Sequence, residues 1–109
     1  MNIGNAIRSV RKQLGHTQFQ LAEMTGISQT SLSQIEKGIK RPSAKTLKKV
    51  CEVMDIPESV IYILAMQDVD VPESKKKIYD MLFPSIKSLA MQIVGSENAQ
   101  FIPEEELIA

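Results

Sequence analysis

The chain has 109 residues, 43% hydrophobic and 24% charged, with no net charge at pH 7. That length suits one domain, or one small domain with an extension, and a core that needs neither metal nor disulfide. A single cysteine, Cys51, excludes an internal disulfide, and no secretory leader or bilayer-length apolar run is visible, so the expectation is a soluble cytoplasmic protein with no membrane partner.

Neutrality conceals an asymmetry. Residues 1–56 carry nine Lys/Arg against four Asp/Glu, a net of +5, and residues 57–109 carry four Lys against nine acids, a net of −5. A basic front half suits a polyanionic partner, or is merely a solvated surface.

A first helix is expected from about Ile3 to Leu14. Ile3, Ala6, Ile7, Val10 and Leu14 recur three and four apart, which makes one buried stripe, and Gly15 supplies the stop. Thr17 begins a second helix, because Thr17-x-x-Gln20 is a capping box. Leu21, Ala22 and Met24 are expected on its inner face, with Gly26 at its end. Ser28 is the natural N-cap of a third helix, closed by Gly38. This helix is weak in composition. Leu32 and Ile35 are its apolar anchors, and most of the rest is Ser, Thr and Gln, which are middling helix formers or worse.

Pro42 breaks the chain after Ile39-Lys40-Arg41. Ser43 caps a fourth helix with Ala44, Leu47, Val50, Cys51 and Met54 on one face, and Pro57 opens a short fifth, from about Val60 to Ala65. No strand pattern appears outside Asp68–Val71. The fold class is therefore all-α. Residues 1–66 form a compact five-helix domain, 67–72 a linker, 73–95 an amphipathic helical extension for dimerisation or docking, and 96–109 an acidic tail with Glu104, Glu105 and Glu106. The extension carries Ile78, Leu82, Ile86, Leu89 and Ile93, with Phe83 and Ala90 beside them; Pro84 inside it implies a kink or two helices.

The second and third helices are joined by very few residues around Gly26-Ile27, which forces them to cross steeply. Gly26 takes a left-handed turn at no steric cost. The run from Gln18 to Gly38, QFQLAEMTGISQTSLSQIEKG, with Arg11-Lys12-Gln13-Leu14-Gly15 before it and Arg41-Pro42-Ser43 through Leu47 after it, closely resembles the DNA-binding helix-turn-helix of the lambda/434 repressor and Cro (XRE-type) family. The resemblance covers roughly residues 3 to 65.

That resemblance implies a five-helix lambda-repressor-like domain and a sequence-specific DNA-binding transcriptional regulator of repressor type, bacterial or phage-encoded. The third helix lies in the major groove of a double-stranded operator. Gln29, Thr30 and Gln34 become base readers: Gln can donate and accept at once, as adenine requires, and the Thr methyl suits thymine. Ser28, Ser31 and Ser33 lie near phosphates or bases. Gln18 donates to a phosphate and braces Gln29. Lys37, Lys40 and Arg41 grip phosphates. Arg11 and Glu36 resemble the family's structural pair.

One short reading helix per chain implies a homodimer, with Ile78, Leu82, Phe83, Ile86, Leu89 and Ile93 as the candidate interface; the alternatives are the fifth helix as interface, or packing of this stripe on the chain's own domain. A different class of function is an antitoxin-type module that binds a protein partner and autoregulates its operon, suggested by the acidic, apolar C-terminal region. Lys75-Lys76-Lys77 reads as a solvated face or a contact to flanking DNA. His16 fits a surface residue better than a catalytic base, and Cys51 fits a core residue better than a redox sensor. No phosphate loop, metal-ligand set or nucleophile elbow is present, so no enzyme, cofactor or metal is expected.

Overall fold

A computed structural model describes residues 1–95. The Glu104–Glu106 cluster and the rest of the acidic tail lie outside these described residues. Six α-helices follow one another: α1 (Ile3–Gln13), α2 (Gln18–Thr25), α3 (Gln29–Glu36), α4 (Ala44–Met54), α5 (Glu58–Ala65) and α6 (Lys76–Val94). Two short 3-10 turns, Asp68–Asp70 and Glu73–Lys75, join α5 to α6.

Local chemistry sets the helix starts. Asn2, Thr17, Ser28 and Ser43 each accept a hydrogen bond from the backbone N–H three residues on, covering donors that have no partner inside the helix. At α2 the Gln20 side chain also accepts from the Thr17 N–H at 2.9 Å, completing the capping box. α5 begins at Glu58, directly after Pro57 and two residues before the expected start.

Ile7, Val10, Leu21, Leu32, Val50 and Ile61 form the fully buried centre of the core. α1 packs on α3 and α5, α2 on α3 and α4, and α6 on α5 and α1. The Asn2 N–H donates to the Ala65 carbonyl at 2.8 Å, tying the start of α1 to the end of α5. The Met1 amino group reaches Asp70 Oδ2 at 2.8 Å, so the turn after α5 is also pinned to the start of α1.

Two expected core positions are corrected. Met24 is 42% exposed, and Thr25 takes its place on the inner face of α2. At 100° per residue, position 25 falls between 21 and 22 and position 24 falls outside them. The buried Thr25 hydroxyl is satisfied by donating to the carbonyls of Leu21 and Ala22. Ala44 is exposed, because it sits in the first turn of α4, at the edge of the buried stripe. α6 runs through Pro84 as one helix, and its expected start at Glu73 is a 3-10 turn.

Gly4 marks a close approach between α1 and α3. A Cβ built there would overlap the Ile35 carbonyl oxygen and crowd the Glu36 Cα. By helix propensity alone alanine would be better by about 1 kcal/mol; the contact reverses that sign. Cys51 is 2% exposed in the core. Burial first, and Glu58 second, push its thiol up to about 11.

Two measurements check this packing. Gly4→Ala lowers stability by about 1–3 kcal/mol in urea unfolding, the usual cost of overpacking; a stabilising result would show that α1 and α3 are not held this closely. The raised thiol pKa means that the folded state keeps its proton more tightly than the unfolded state. Its contribution is therefore complete below the unfolded pKa of 9.0 and is lost as pH rises towards about 11. Between those values the melting temperature falls more steeply in the parent than in Cys51→Ala; parallel curves would remove Cys51 from the account.

Candidate nucleic-acid interface

α3 divides cleanly by face. Leu32, Ile35 and Glu36 are buried, whereas Gln29, Thr30, Gln34 and Lys37 are exposed and Ser31 and Ser33 half-buried. The exposed side chains are short, uncharged except at the C-terminal end, and able to donate and accept hydrogen bonds. Gln18, Gln29, Thr30, Ser33, Gln34, Lys37 and Ile39 line one open depression of about 470 Å³. The three expected base readers therefore share one surface with Gln18 and Lys37.

The chain leaves α3 through a tightly bonded turn. The Gly38 N–H donates to the Ile35 carbonyl at 3.0 Å, and the Ile39 N–H donates to the Gln34 carbonyl at 2.9 Å, with Gly38 at φ 78°. This is a Schellman ending, and the left-handed residue it needs is the glycine. It folds the loop back along α3, so that Lys40 Nζ donates to Ser31 Oγ at 3.1 Å. Lys40 is thus drawn to the N-terminal part of the polar face, while Arg41 remains exposed beside it. Ser28 Oγ accepts from the Ser31 N–H at 3.0 Å as the helix cap.

The orientation of α3 is set from behind. Arg11 Nε donates to Glu36 Oε2 at 2.8 Å and Arg11 Nη2 to Glu36 Oε1 at 2.9 Å, a bidentate pair with side chains 9% and 3% exposed. Arg11 Nη1 donates to the His16 carbonyl at 2.9 Å. Gln18 Nε2 donates to Glu36 Oε1 at 3.3 Å. The expected brace from Gln18 to Gln29 is corrected here: the Gln18 amide is directed to the buried carboxylate, which offers it a full negative charge. One network joins α1, the α1–α2 turn, the start of α2 and the end of α3.

Two residues at this surface escaped sequence reasoning. Arg8 is exposed on α1 and lines a cleft with Arg11, Gln18, Ser33, Glu36 and Lys37. Its spacing of three from Arg11 on one helix face was the available signal. Ile39 is 73% exposed at the rim of the depression. A large apolar residue between Gly38 and two cations was its signal.

The expected dimer residues lie elsewhere, on α6. Ile78, Leu82, Ile86, Leu89 and Ile93 are 45–60% exposed, Phe83 is half-buried, and only Ala90 and Val94 of that helix are buried. Phe83 stacks on Tyr79 with ring centroids 4.7 Å apart. Lys76 pairs with Glu73 at 3.1 Å, while Lys75 and Lys77 are exposed. Among the described residues no group of three or more His, Cys, Asp or Glu is placed to hold a metal ion, and no helix is long and apolar enough to cross a membrane.

Comparison with known proteins gives the family of the chain. The family model described as Helix-turn-helix matches residues 7–61. The chain is 38% identical over 105 residues to an uncharacterized HTH-type transcriptional regulator of Mycobacterium tuberculosis, an alignment covering 94% of this chain and 74% of that one. It is 26% identical over 106 residues to the HTH-type transcriptional regulator ImmR of Bacillus subtilis, covering 97% and 79%. Over 61 residues it is 38% identical to the immunity repressor protein of Bacillus phage phi105, covering 56% of this chain and 42% of the repressor. No solved structure matches the chain significantly.

Removing one partner of the buried pair leaves an uncompensated charge. Glu36→Ala is expected to cost about 3–5 kcal/mol in urea unfolding, whereas the double change Arg11→Met with Glu36→Leu recovers most of that loss. A single substitution costing under about 1 kcal/mol would show that the pair does not hold α3.

Proposed function

The chain belongs to the XRE-type helix-turn-helix family of DNA-binding transcriptional regulators, and from that premise we propose that it reads an operator by laying α3 in the major groove. It is a regulator and not an enzyme. The observation that carries the reading is the polar face of α3, whose Gln29, Thr30 and Gln34 side chains are exposed on a helix anchored from the opposite side. Glutamine can satisfy an adenine edge with two hydrogen bonds, and the threonine methyl can pack on a thymine methyl.

Phosphate contacts frame that face. Lys37 at its C-terminal end, Lys40 folded back to Ser31 with Arg41 beside it, and Gln18 at the start of α2, through the amide hydrogen not given to Glu36, are the contacts we assign, with Ser28, Ser31 and Ser33 close to the backbone or base edges. Arg8 extends the cationic rim on the α1 side. Each neutralised phosphate releases counterions, so affinity falls with salt.

In this reading residues 1–66 read DNA and residues 73–95 pair two copies across half-sites about 34 Å apart. The unpaired apolar face of α6 supports that assignment. Covering the exposed half of a Leu or Ile contributes roughly 1 kcal/mol, so ten such side chains in a symmetric pair give on the order of 10 kcal/mol. Association costs about 4–15 kcal/mol, so pairing is concentration-dependent and is reinforced by adjacent half-sites. Repression in the cytoplasm of a bacterium is the expected consequence, by occupancy of the operator; similarity to a phage protein named as an immunity repressor supports that sign. An antitoxin-type role would use the same α6 face for a different protein, but the need to span two half-sites favours a second copy.

Selection of bound fragments from random DNA tests the reading. The parent enriches a two-fold symmetric site. Gln29→Ala with Gln34→Ala keeps weak, salt-sensitive binding and loses the preference. Lys40→Ala with Arg41→Ala weakens all sequences alike and reduces the log–log salt slope by about 1 for each phosphate no longer neutralised. Absence of any enriched site, or an unchanged site in the double glutamine variant, overturns it.

A further inference from the structure

Resting on the proposal that α6 pairs two copies, we infer that the two α6 helices pack antiparallel with Ile86 beside the two-fold axis, and that Leu89 and Ile93 of each copy fill an apolar trough on the other.

The trough is the first observation. A hollow of about 430 Å³ lies between α5 and the N-terminal half of α6, with Ile63, Met66, Val71, Tyr79 and Phe83 among its walls. Ile78, Leu82 and Ile86 of the exposed stripe also line it. Leu89 and Ile93, one to two turns further along α6, are not among the residues that line it and are 60% and 55% exposed. The hollow therefore flanks only the N-terminal half of the apolar stripe, and Leu89 and Ile93 stand outside it as an exposed ridge. A parallel pair would set hollow against hollow and ridge against ridge. An antiparallel pair seats each ridge in the facing hollow, twice by symmetry, as an isologous contact requires.

The order of side chains fits the same arrangement. Ile78, Leu82, Ile86, Leu89 and Ile93 read the same in both directions about Ile86. In an antiparallel pair Ile78 faces the opposite Ile93, and Leu82 faces the opposite Leu89. Large and complementary side chains then meet along about 22 Å of helix.

The helix dipoles separate the two orientations. The side-chain charges at the N-terminal end of α6 are mixed: Lys75 and Lys77 are exposed, Glu73 pairs with Lys76, Asp70 pairs with the Met1 amino group, and Asp68 and Asp80 lie near Tyr79. A parallel pair would bring both positive helix ends together. An antiparallel pair places those ends more than two Debye lengths of about 8 Å apart. It also brings each positive end near the negative end of the opposing helix.

Cysteine cross-linking of the full-length protein in a Cys51→Ala background tests the register, using mild oxidation and a short bis-maleimide. Ile86→Cys forms a covalent dimer by itself. Leu82→Cys and Leu89→Cys cross-link poorly alone, and an equimolar mixture of the two gives at least tenfold more heterodimer. Equal self-cross-linking at Leu82→Cys and Leu89→Cys, with no gain on mixing, indicates parallel helices and overturns the inference. A chain that sediments as a dimer but cross-links in neither combination overturns the register while leaving the dimer in place. A chain that sediments as a monomer with and without operator DNA overturns both.

Discussion

The geometry of the proposed reading surface depends on one buried ion pair. Arg11 has three hydrogen bonds in hand, two to Glu36 and one to the His16 carbonyl, and Glu36 also accepts from Gln18. A guanidinium and a carboxylate out of water are a net gain only when nearly every donor and acceptor is matched. Here they are matched by groups from three helices, and none of the buried side-chain nitrogen or oxygen atoms among the described residues is left without a partner. The consequence is positional: the last turn of α3 is held at a set distance and angle from α1 and from the start of α2.

That anchoring explains why α3 tolerates so poor a helix composition. Isolated short helices are marginal in water, and helices in proteins derive most of their stability from a packed face. Leu32, Ile35 and the Glu36 pair hold the inner face, Ser28 caps one end and the Gly38 turn closes the other. The outer face is released from any duty to stabilise the helix. It is free to carry glutamine, threonine and serine, whose value lies in hydrogen bonds offered outward.

α6 has the opposite imbalance. Its inner contacts, led by Ala90 and Val94, fix it against α1 and α5, yet a row of five large aliphatic residues remains half in water. Scattered exposed apolar residues are ordinary, but a continuous row on one helix, with a trough beside it, has the character of an interface. The basic front half and the apolar back half would then divide the work, one meeting a polyanion and the other a second protein surface.

Much of this was legible in residue order. Helix starts were local: Thr17, Ser28 and Ser43 announce caps that depend only on residues within one turn, and Gly26 and Gly38 announce left-handed turns. The core stripes of α1 and α4 were legible because helical period alone places Val10, Val50 and Cys51 on the inner side. Position-specific burial was less accessible. Met24 and Thr25 differ by one step of rotation: the apolar character of Met24 points to burial there, whereas the angular position set by Leu21 and Ala22, and a hydroxyl satisfied within the helix, put Thr25 inside. Gly4 reads as a helix weakness until Ile35 is brought against it. Gln18 has several polar neighbours in sequence, and the buried charge of Glu36, eighteen residues away, claims its amide. Whether the α6 stripe packs on its own domain or faces outward depends on the angle at which α5 hands the chain on. Hydrogen bonds within one turn are decided by neighbours along the chain; burial and charge pairing are decided by neighbours in space, and those exist only once the helices have packed.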